Sequence, residues 1–423
     1  MVNGRFRFLH VADLHLDSPF AGLRSAPPRV ADVVQQATLL TYDRVVETAI
    51  REQVDFVLIA GDVYDGRDRS LRAQLRFCDG LARLARSGIQ SFVVFGNHDP
   101  LDGWSARIEW PVRAHRFGAD SVEAVPVVRD GIRLATIYGI SHGHREVRAN
   151  IAQQIRGNGE AGLAIGLLHA NVEGIGGHEN YAPCRLEDLE AAGMDYWALG
   201  HVHSKRVLRE ASPLVVYPGN TQARSRAEAG ERYCCLVSAD ATGLSYEMLP
   251  VDAIRWYQDR IPITGLAGDQ ELLDRLDGRC HEIEEESEGR PVICSLTLTG
   301  AGDLHQNLSR PGYLDALLER LRGEHGEADP FVYVDRLRVE TTPEFDRDER
   351  KQAQDFVAAL LGVVDAIRSD PDAVAELARE LGPLQEQIRK TLGTELPLDS
   401  GNLLPWLERA EAMCLDLLEG GRS

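Results

Sequence analysis

Five short clusters of imidazole, carboxylate and carboxamide side chains stand out in this 423-residue sequence. In chain order they are Asp13-Leu14-His15, Gly61-Asp62, Gly96-Asn97-His98-Asp99, His169, and Gly200-His201-Val202-His203. The set mixes nitrogen and oxygen donors and contains no sulfur, which suits a divalent ion of the manganese, iron or zinc kind. Asp13, His15, Asp62, Asn97, His169, His201 and His203 are too many ligands for one ion and match two ions sharing a carboxylate. Asp-x-His and His-x-His put two side chains on one side of an extended segment or tight turn. Each pair therefore either serves one ion or straddles two.

Singly, these clusters say little. A lone Asp-x-His or a Gly-Asp is commonly a surface turn, and one histidine is more often a core or surface residue than a ligand. Their joint occurrence is informative because each follows its own apolar run. The pattern predicts strands over 5–12, 54–60, 89–95, 133–140, 163–168 and 195–199. Amphipathic stretches predict helices near 29–52, 70–87, 145–156 and 185–192. Short apolar runs alternating with helices indicate an α/β protein whose sheets are covered by helices. In such sheets the carboxyl ends of the strands form the ligand crevice, so clusters distant in sequence can converge there.

Further along, the pattern changes twice. Residues 206–250 hold short strands (214–217, 233–237, 244–249) that could close a second sheet onto the first. Residues 251–340 read as a small α+β domain, with strands at 254–263, 291–299 and 331–339 and helices near 268–286 and 312–323. Residues 341–423 read as helices at about 346–367, 371–391 and 402–419. The last carries a Trp406 and leucine stripe that serves either packing on its neighbours or docking of another chain. The expected division is 1–250, 251–340 and 341–423.

Composition narrows the class. With 43% hydrophobic and 26% charged residues the chain is an ordinary globular protein. No apolar run approaches the ~20 residues of a membrane span, so no membrane role is expected. The first residues alternate like a strand and lack the apolar region of a signal peptide, so a cytoplasmic location is expected. Seven scattered cysteines with no C-x-x-C pair argue against a disulfide framework or a thiolate zinc site. Net charge is −20, and residues 251–423 hold 36 acidic and 19 basic residues, a balance of −17. A chain gripping nucleic acid alone would usually show a basic domain, so a DNA substrate here calls for bound metal and a partner to supply positive charge.

The five clusters together resemble the signature of the calcineurin-like metallophosphoesterases, over roughly residues 5–250. The resemblance implies a four-layer α/β sandwich, two sheets flanked by helices, with a dinuclear site. It implies that Asp13, His15 and His203 bind one ion, that Asn97, His169 and His201 bind the other, and that Asp62 bridges them. Residues 8–19, 68–74 and Tyr217-Pro218-Gly219-Asn220-Thr221-Gln222 further resemble the bacterial DNA-repair exonucleases of the YhaO group, relatives of the SbcD nucleases. Related archaeal and eukaryotic break-repair nucleases carry a histidine three residues after the bridging aspartate. Here that residue is Asp65, as in the SbcD-like pattern.

The activity implied is that of a metal-dependent DNA phosphodiesterase, an exonuclease with endonuclease action as a further option, using two Mn2+ ions with Fe2+ or Zn2+ as alternatives. His98 is the expected acid for the leaving oxygen, with Asp99 holding its ring. His10 is expected to be buried and hydrogen-bonded, and His142 and His144 to serve the rim or the structure. His178 and Tyr181 would border the cleft. Arg67, Arg69, Arg72, Arg76, Arg224 and Arg226 are candidate phosphate contacts, although charged helix faces are usually only solvated. The resemblance implies a coiled-coil ATPase partner of the SbcC or YhaN kind docked on the C-terminal helices. It also implies a homodimer, and a DNA-facing cap at 251–340. Competing readings are a small-molecule or nucleotide phosphatase of the same fold, and an assembly subunit with a silent site.

Overall fold

Alternate residues of a strand face opposite ways, and here that alternation gives two sheets one shared interior. The structure is a computed structural model that describes residues 5–23, 26–66, 70–104, 106, 108–176, 179–344, 350–353, 355–392 and 398–419. The first sheet contains β1 Phe6–Val11, β2 Phe56–Ala60, β3 Gln90–Val94, β4 Ala114–Arg116, β11 Tyr233–Asp240 and β12 Gly243–Pro250, in the order β12-β11-β1-β2-β3-β4. The second contains β5 Glu123–Arg129, β6 Ile132–Gly139, β7 Leu163–His169, β8 Tyr196–Gly200, β9 Arg206–Arg209 and β10 Leu214–Tyr217, in the order β5-β6-β7-β8-β10-β9. β1 to β4 are parallel neighbours, as are β6, β7, β8 and β10, while β5, β9, β11 and β12 pair antiparallel.

Phe8, Phe56, Leu58 and Phe92 face inward from the first sheet, against Ile137, Ile165, Leu167 and Ala198 of the second. Their neighbours Leu9, Val57, Ile59 and Val93 face outward, onto α1 Pro28–Arg51 and α2 Leu71–Arg86. The outer face of the second sheet, with Leu168, Trp197 and Val215, is covered by Ile151, Ile155 and Leu189, the last on α3 Leu186–Glu190. Strands buried on both faces read as unbroken apolar runs, and β2 (Phe-Val-Leu-Ile-Ala) is buried throughout. The two mixed sheets flanked by helices are the expected sandwich.

The chain divides into two units. The first comprises 1–257, 283–294 and 328–335 and contains both large sheets. In it Trp256, Ile293 and Phe331 pack with Val30 and Val34 of α1. The second comprises 258–282, 295–327 and 336–423. A third sheet has the order β13-β14-β15, from β13 Arg255–Pro262, β14 Val292–Ala301 and β15 Val332–Thr342. Among the described residues, further helices are α4 Asp269–Glu286, α5 Leu304–Leu308, α6 Tyr313–His325, α7 Phe356–Ser369, α8 Pro371–Glu380, α9 Gly382–Leu392 and α10 Ser400–Glu419. In the second unit, Val357 and Leu361 of α7 bury against Leu415 of α10.

Two expectations are corrected. No α-helix forms over 145–156; only a single 3-10 turn, Ile151–Gln154, is present. Ile151, Ala152 and Ile155 have helical spacing, but they plug the outer face of the second sheet while Val147 O accepts from Ala182 N across a loop. The helix expected over 371–391 is two, α8 and α9, because Pro383 lacks the amide a continuous helix would need there. Of the helix expected over 346–367, Phe356–Ser369 forms α7, capped by Asp355, which accepts from Ala358 N; residues 345–349 and 354 lie outside the described residues.

His10 of β1 joins the two sheets as expected. Its Nδ1 lies 2.9 Å from Tyr196 Oη of β8 and its Nε2 3.2 Å from Leu199 O. Burial in this apolar interior pushes the ring down to about 3, so it stays neutral in the folded chain. The unfolded chain protonates near pH 6.5, hence His10 favours folding fully above that pH and progressively less as pH falls toward 3. Urea melts at pH 7.5, 6 and 5 should show the wild type losing about 1.4 kcal/mol per pH unit relative to His10→Gln below pH 6.5. Parallel pH profiles would refute a buried neutral His10.

Candidate metal centre

The two sheets deliver the five clusters to the same place from opposite sides. Asp13 and His15 follow β1, Asp62 follows β2, and Asn97 and His98 follow β3. His169 closes β7, and His201 and His203 follow β8. Because these strands are parallel, their carboxyl ends share one edge. Asp13, His15 and His203 bring donor atoms within 4.8 Å of one another, and so do Asp13, Asp62 and His169. Asn97 Oδ1 lies 3.0 Å from His169 Nε2 and 3.1 Å from His201 Nδ1. Asp62 Oδ2 sits between the groups, 3.9 Å from His15 Nε2 and 3.4 Å from His169 Nε2. His201 and His203 thus part company, one turning toward Asn97 and the other bringing its Nε2 within 3.3 Å of His15 Nε2.

Each ring is held by the nitrogen that faces away from this centre. His169 Nδ1 donates to Ala60 O at 2.9 Å, His201 Nε2 to Glu179 O at 2.6 Å, and His203 Nδ1 to Glu228 Oε1 at 2.7 Å. His15 Nδ1 faces Asp65 Oδ2 at 3.5 Å. A neutral imidazole that donates outward presents a lone pair inward. Lone pairs of His15, His169, His201 and His203 therefore converge on the carboxylates and on the carboxamide oxygen of Asn97. Such a gathering of acceptors repels itself unless positive charge lies within it, so the residues fit divalent cations. In the bare chain a proton partly substitutes. Burial works against a charged ring, but Asp62 beside it carries His169 up to about 9. Burial likewise opposes the Asp62 carboxylate, yet His169 holds it well below the usual range, while burial pushes Asp13 up.

The backbone is strained where these residues emerge. Asp13, His15, Asp62 and His201 have φ of 52°, 43°, 50° and 103°, a region that side chains disfavour and that concentrates at functional sites. Two motif glycines are explained by close approach at the centre. A Cβ at Gly200 would stand 1.8 Å from Ala60 O, and one at Gly96 would meet Asp62 Oδ1 at 2.3 Å and His169 Nε2 at 2.7 Å.

His98 stands beside the centre with 35% of its side chain exposed, and its amide donates to Asp62 Oδ1 at 2.9 Å. Its Nδ1 pairs with Asp65, not with Asp99 as expected. Asp99 is occupied elsewhere: its carboxylate accepts from Gly96 N and Val63 N, each at 2.7 Å, and from Tyr64 N at 3.2 Å, tying the β2 and β3 loops together. Asp65 accepts also from Ser18 Oγ at 2.7 Å and Arg224 Nη1 at 3.1 Å. Burial alone would raise Asp65, but its bonds to His15 and His98 hold it well below the usual carboxylate range. Burial lowers His98, and the bond to Asp65 outweighs it, leaving the ring more basic than an ordinary histidine. Glu228, which no motif announces, is held at about 2 by His203 against the opposing effect of burial.

The remaining candidates sort by their partners. His142 Nε2 donates to His169 O at 2.8 Å, and exposed His144 pairs with Asp102. The Tyr181 ring lies 6.2 Å from that of His201, bordering the cleft; His178, Arg67 and Arg69 lie outside the described residues. Arg72, Arg76, Arg224 and Arg226 face Asp17, Asp43, Asp65 and Asp335, so each already has a counter-ion.

Residues 6–205 match the calcineurin-like phosphoesterase family, and residues 256–342 match the middle domain of the metallophosphoesterase YhaO. The uncharacterized metallophosphoesterase YhaO of Bacillus subtilis is 37% identical over 337 residues, which span 80% of this chain and 82% of that one. The DNA double-strand break repair protein Mre11 of Sulfurisphaera tokodaii is 28% identical over 48% of this chain and 50% of its own. The SbcD subunit of the SbcCD nuclease of Bacillus subtilis is 24% identical over 53% of this chain and 63% of its own. The calcineurin-like fold uses a dinuclear metal site, in accord with the donor set described above.

Cation uptake must displace the His169 proton, so affinity for Mn2+ should rise with pH up to about 9. Calorimetric titration at pH 7.5 in two buffers of different ionisation enthalpy should register proton release. Asp62→Asn should bind less metal and release fewer protons, because it lacks the carboxylate that raises His169. Uptake without proton release would contradict a protonated His169 in the bare site.

Proposed function

The chain belongs to the calcineurin-like metallophosphoesterase family, and from that premise we propose that it is a divalent-metal-dependent DNA phosphodiesterase, an exonuclease working in DNA repair. The observation that carries the reading is a half-exposed, basic His98 fixed by Asp65 at the rim of a buried Asp, His and Asn donor set. Asp13, His15 and His203 would hold one ion, Asn97, His169 and His201 the other, and Asp62 both. Bound there, two such ions, Mn2+ first with Fe2+ or Zn2+ as alternatives, supply a hydroxide nucleophile near neutral pH and positive charge for the phosphoryl oxygens.

The chain's own residues do the rest. Asp65 takes the Nδ1 side of His98, which would leave Nε2–H for the substrate. As hydroxide adds to phosphorus and the P–O ester bond breaks, His98 gives that proton to the departing sugar oxygen. Asp65 stays ionised throughout, so it both orients the ring and stabilises its charged form. Asp99 acts on position only, by fixing the loops that carry Asp62 and His98.

Similarity to proteins named for break repair and for a nuclease subunit supports DNA as the substrate. A subunit role suits the acidic C-terminal part, on which Phe356, Val363 and Met413 are 69%, 58% and 63% exposed. We assign a coiled-coil ATPase of the SbcC or YhaN kind to these helices, within the cytoplasm, and keep the homodimer as part of the same proposal. Among the described residues no helix is long and apolar enough to cross a membrane.

The deciding assay supplies the purified chain with Mn2+, linear duplex DNA, single-stranded DNA and bis-p-nitrophenyl phosphate. DNA should be degraded, and Asp62→Ala should abolish it. Hydrolysis of the small ester with both DNA forms intact, even with the ATPase added, would favour a small-molecule phosphatase. His98→Ala should keep its metal but lose about 10²–10⁴-fold in DNA cleavage. It should lose far less on the p-nitrophenyl ester, whose leaving group needs no acid. Equal losses on both substrates would remove the acid role from His98.

A further inference from the structure

Next to the metal centre, on the helix-facing side of the first sheet, lies a cleft that the chemistry above does not use. Tyr64, Phe95, Trp104, Arg116, Ser70 and Gln74 line it, and Asp65 and Asp99 close the side toward His98. β4 runs parallel to β3 and ends on Arg116, so this arginine occupies a strand end on the same edge as Asn97 and His98. Phe95 and Tyr64 form a wall of stacked rings with centroids 6.4 Å apart. The Arg116 guanidinium lies 5.8 Å from the Phe95 centroid. Trp104, 47% exposed, stands at the opening.

The charge pattern sets Arg116 apart. Net charge is −20, and Arg72, Arg76, Arg224 and Arg226 around the site all face carboxylates. Among the described residues no carboxylate pairs with Arg116, whose contact is the aromatic face of Phe95. An unneutralised guanidinium beside an exposed indole and an aromatic wall offers a place for an anion and a planar ring together. Those are the two parts of a nucleotide.

We propose that this cleft is a subsite for one unpaired DNA nucleotide adjoining the scissile phosphate, its base stacked on Trp104 and its flanking phosphate on Arg116. The proposal rests on the nuclease reading and narrows it to substrates with a frayed or single-stranded segment. A base inside a duplex has no free face to offer, whereas an unstacked base does.

The test is binding rather than turnover. Fluorescein-labelled pentathymidylate with phosphorothioate linkages, which resist hydrolysis, is titrated with the Mn2+-loaded chain and followed by anisotropy. Trp104→Ala should weaken binding about 10-fold, Trp104→Phe much less, and replacing the thymines by abasic residues should erase the difference between wild type and Trp104→Ala. Arg116→Gln should weaken binding and lower the salt slope by about 1, which Trp104→Ala should not do. Unchanged affinity in both Trp104→Ala and Arg116→Gln, or no binding by the wild type, overturns the subsite. Binding with the expected variant effects alongside intact DNA in the cleavage assay faults the nuclease reading instead, so the two failures are told apart.

Discussion

The cleft depends on where four histidine rings place their protons. His169, His201 and His203 each donate outward, to Ala60 O, Glu179 O and Glu228, and His15 turns its outer nitrogen to Asp65. That outward anchoring fixes the tautomer and aims the second nitrogen inward. It also concentrates unshared electron pairs and two buried carboxylates in one small space, which is costly unless positive charge is present. The affinity of the site for cations is thus a property of its outer ring of acceptors as much as of the ligands themselves.

The fold bears the associated strain. Four of the residues at the centre adopt left-handed backbone conformations, which cost on the order of 1–3 kcal/mol each. They persist because both sheets are packed on both faces and the turns are tied by backbone bonds such as Asp13 N to Gly61 O and His15 N to Asp62 O, at 3.1 and 3.0 Å. Asp99 contributes to the same task from below, as a buried acceptor for three amides. Its contacts are with backbone amides, and the carboxylate that meets the His98 ring is Asp65.

Much of this architecture is legible in the sequence. The strands that carry the clusters have the strongest patterns in the chain, because burial on both faces demands continuous apolar runs. The helices α1 and α2 are equally plain. Elements without a sequence signature have weak local patterns: β4 is three residues long, and β5 is an edge strand interrupted by Pro126. The shortness of β4 also hides Arg116, since nothing local marks it as a strand end. The helix expected over 145–156 fails for the opposite reason, an apolar spacing that tertiary packing uses without helix formation.

The sequence by itself determined which donor types exist, their order after successive strands, and the family they imply, because those are local properties of composition and spacing. Only the tertiary structure decided which nitrogen of each ring faces inward, which carboxylate meets the His98 ring, and that Arg116 lies over the ring of Phe95. Those outcomes rest on contacts between residues far apart in the chain, such as His169 with Ala60 and Arg224 with Asp65. Asp99 is adjacent to His98 in sequence, but the turn at Asn97 points its carboxylate at backbone amides, while Asp65, 33 residues away, reaches the ring.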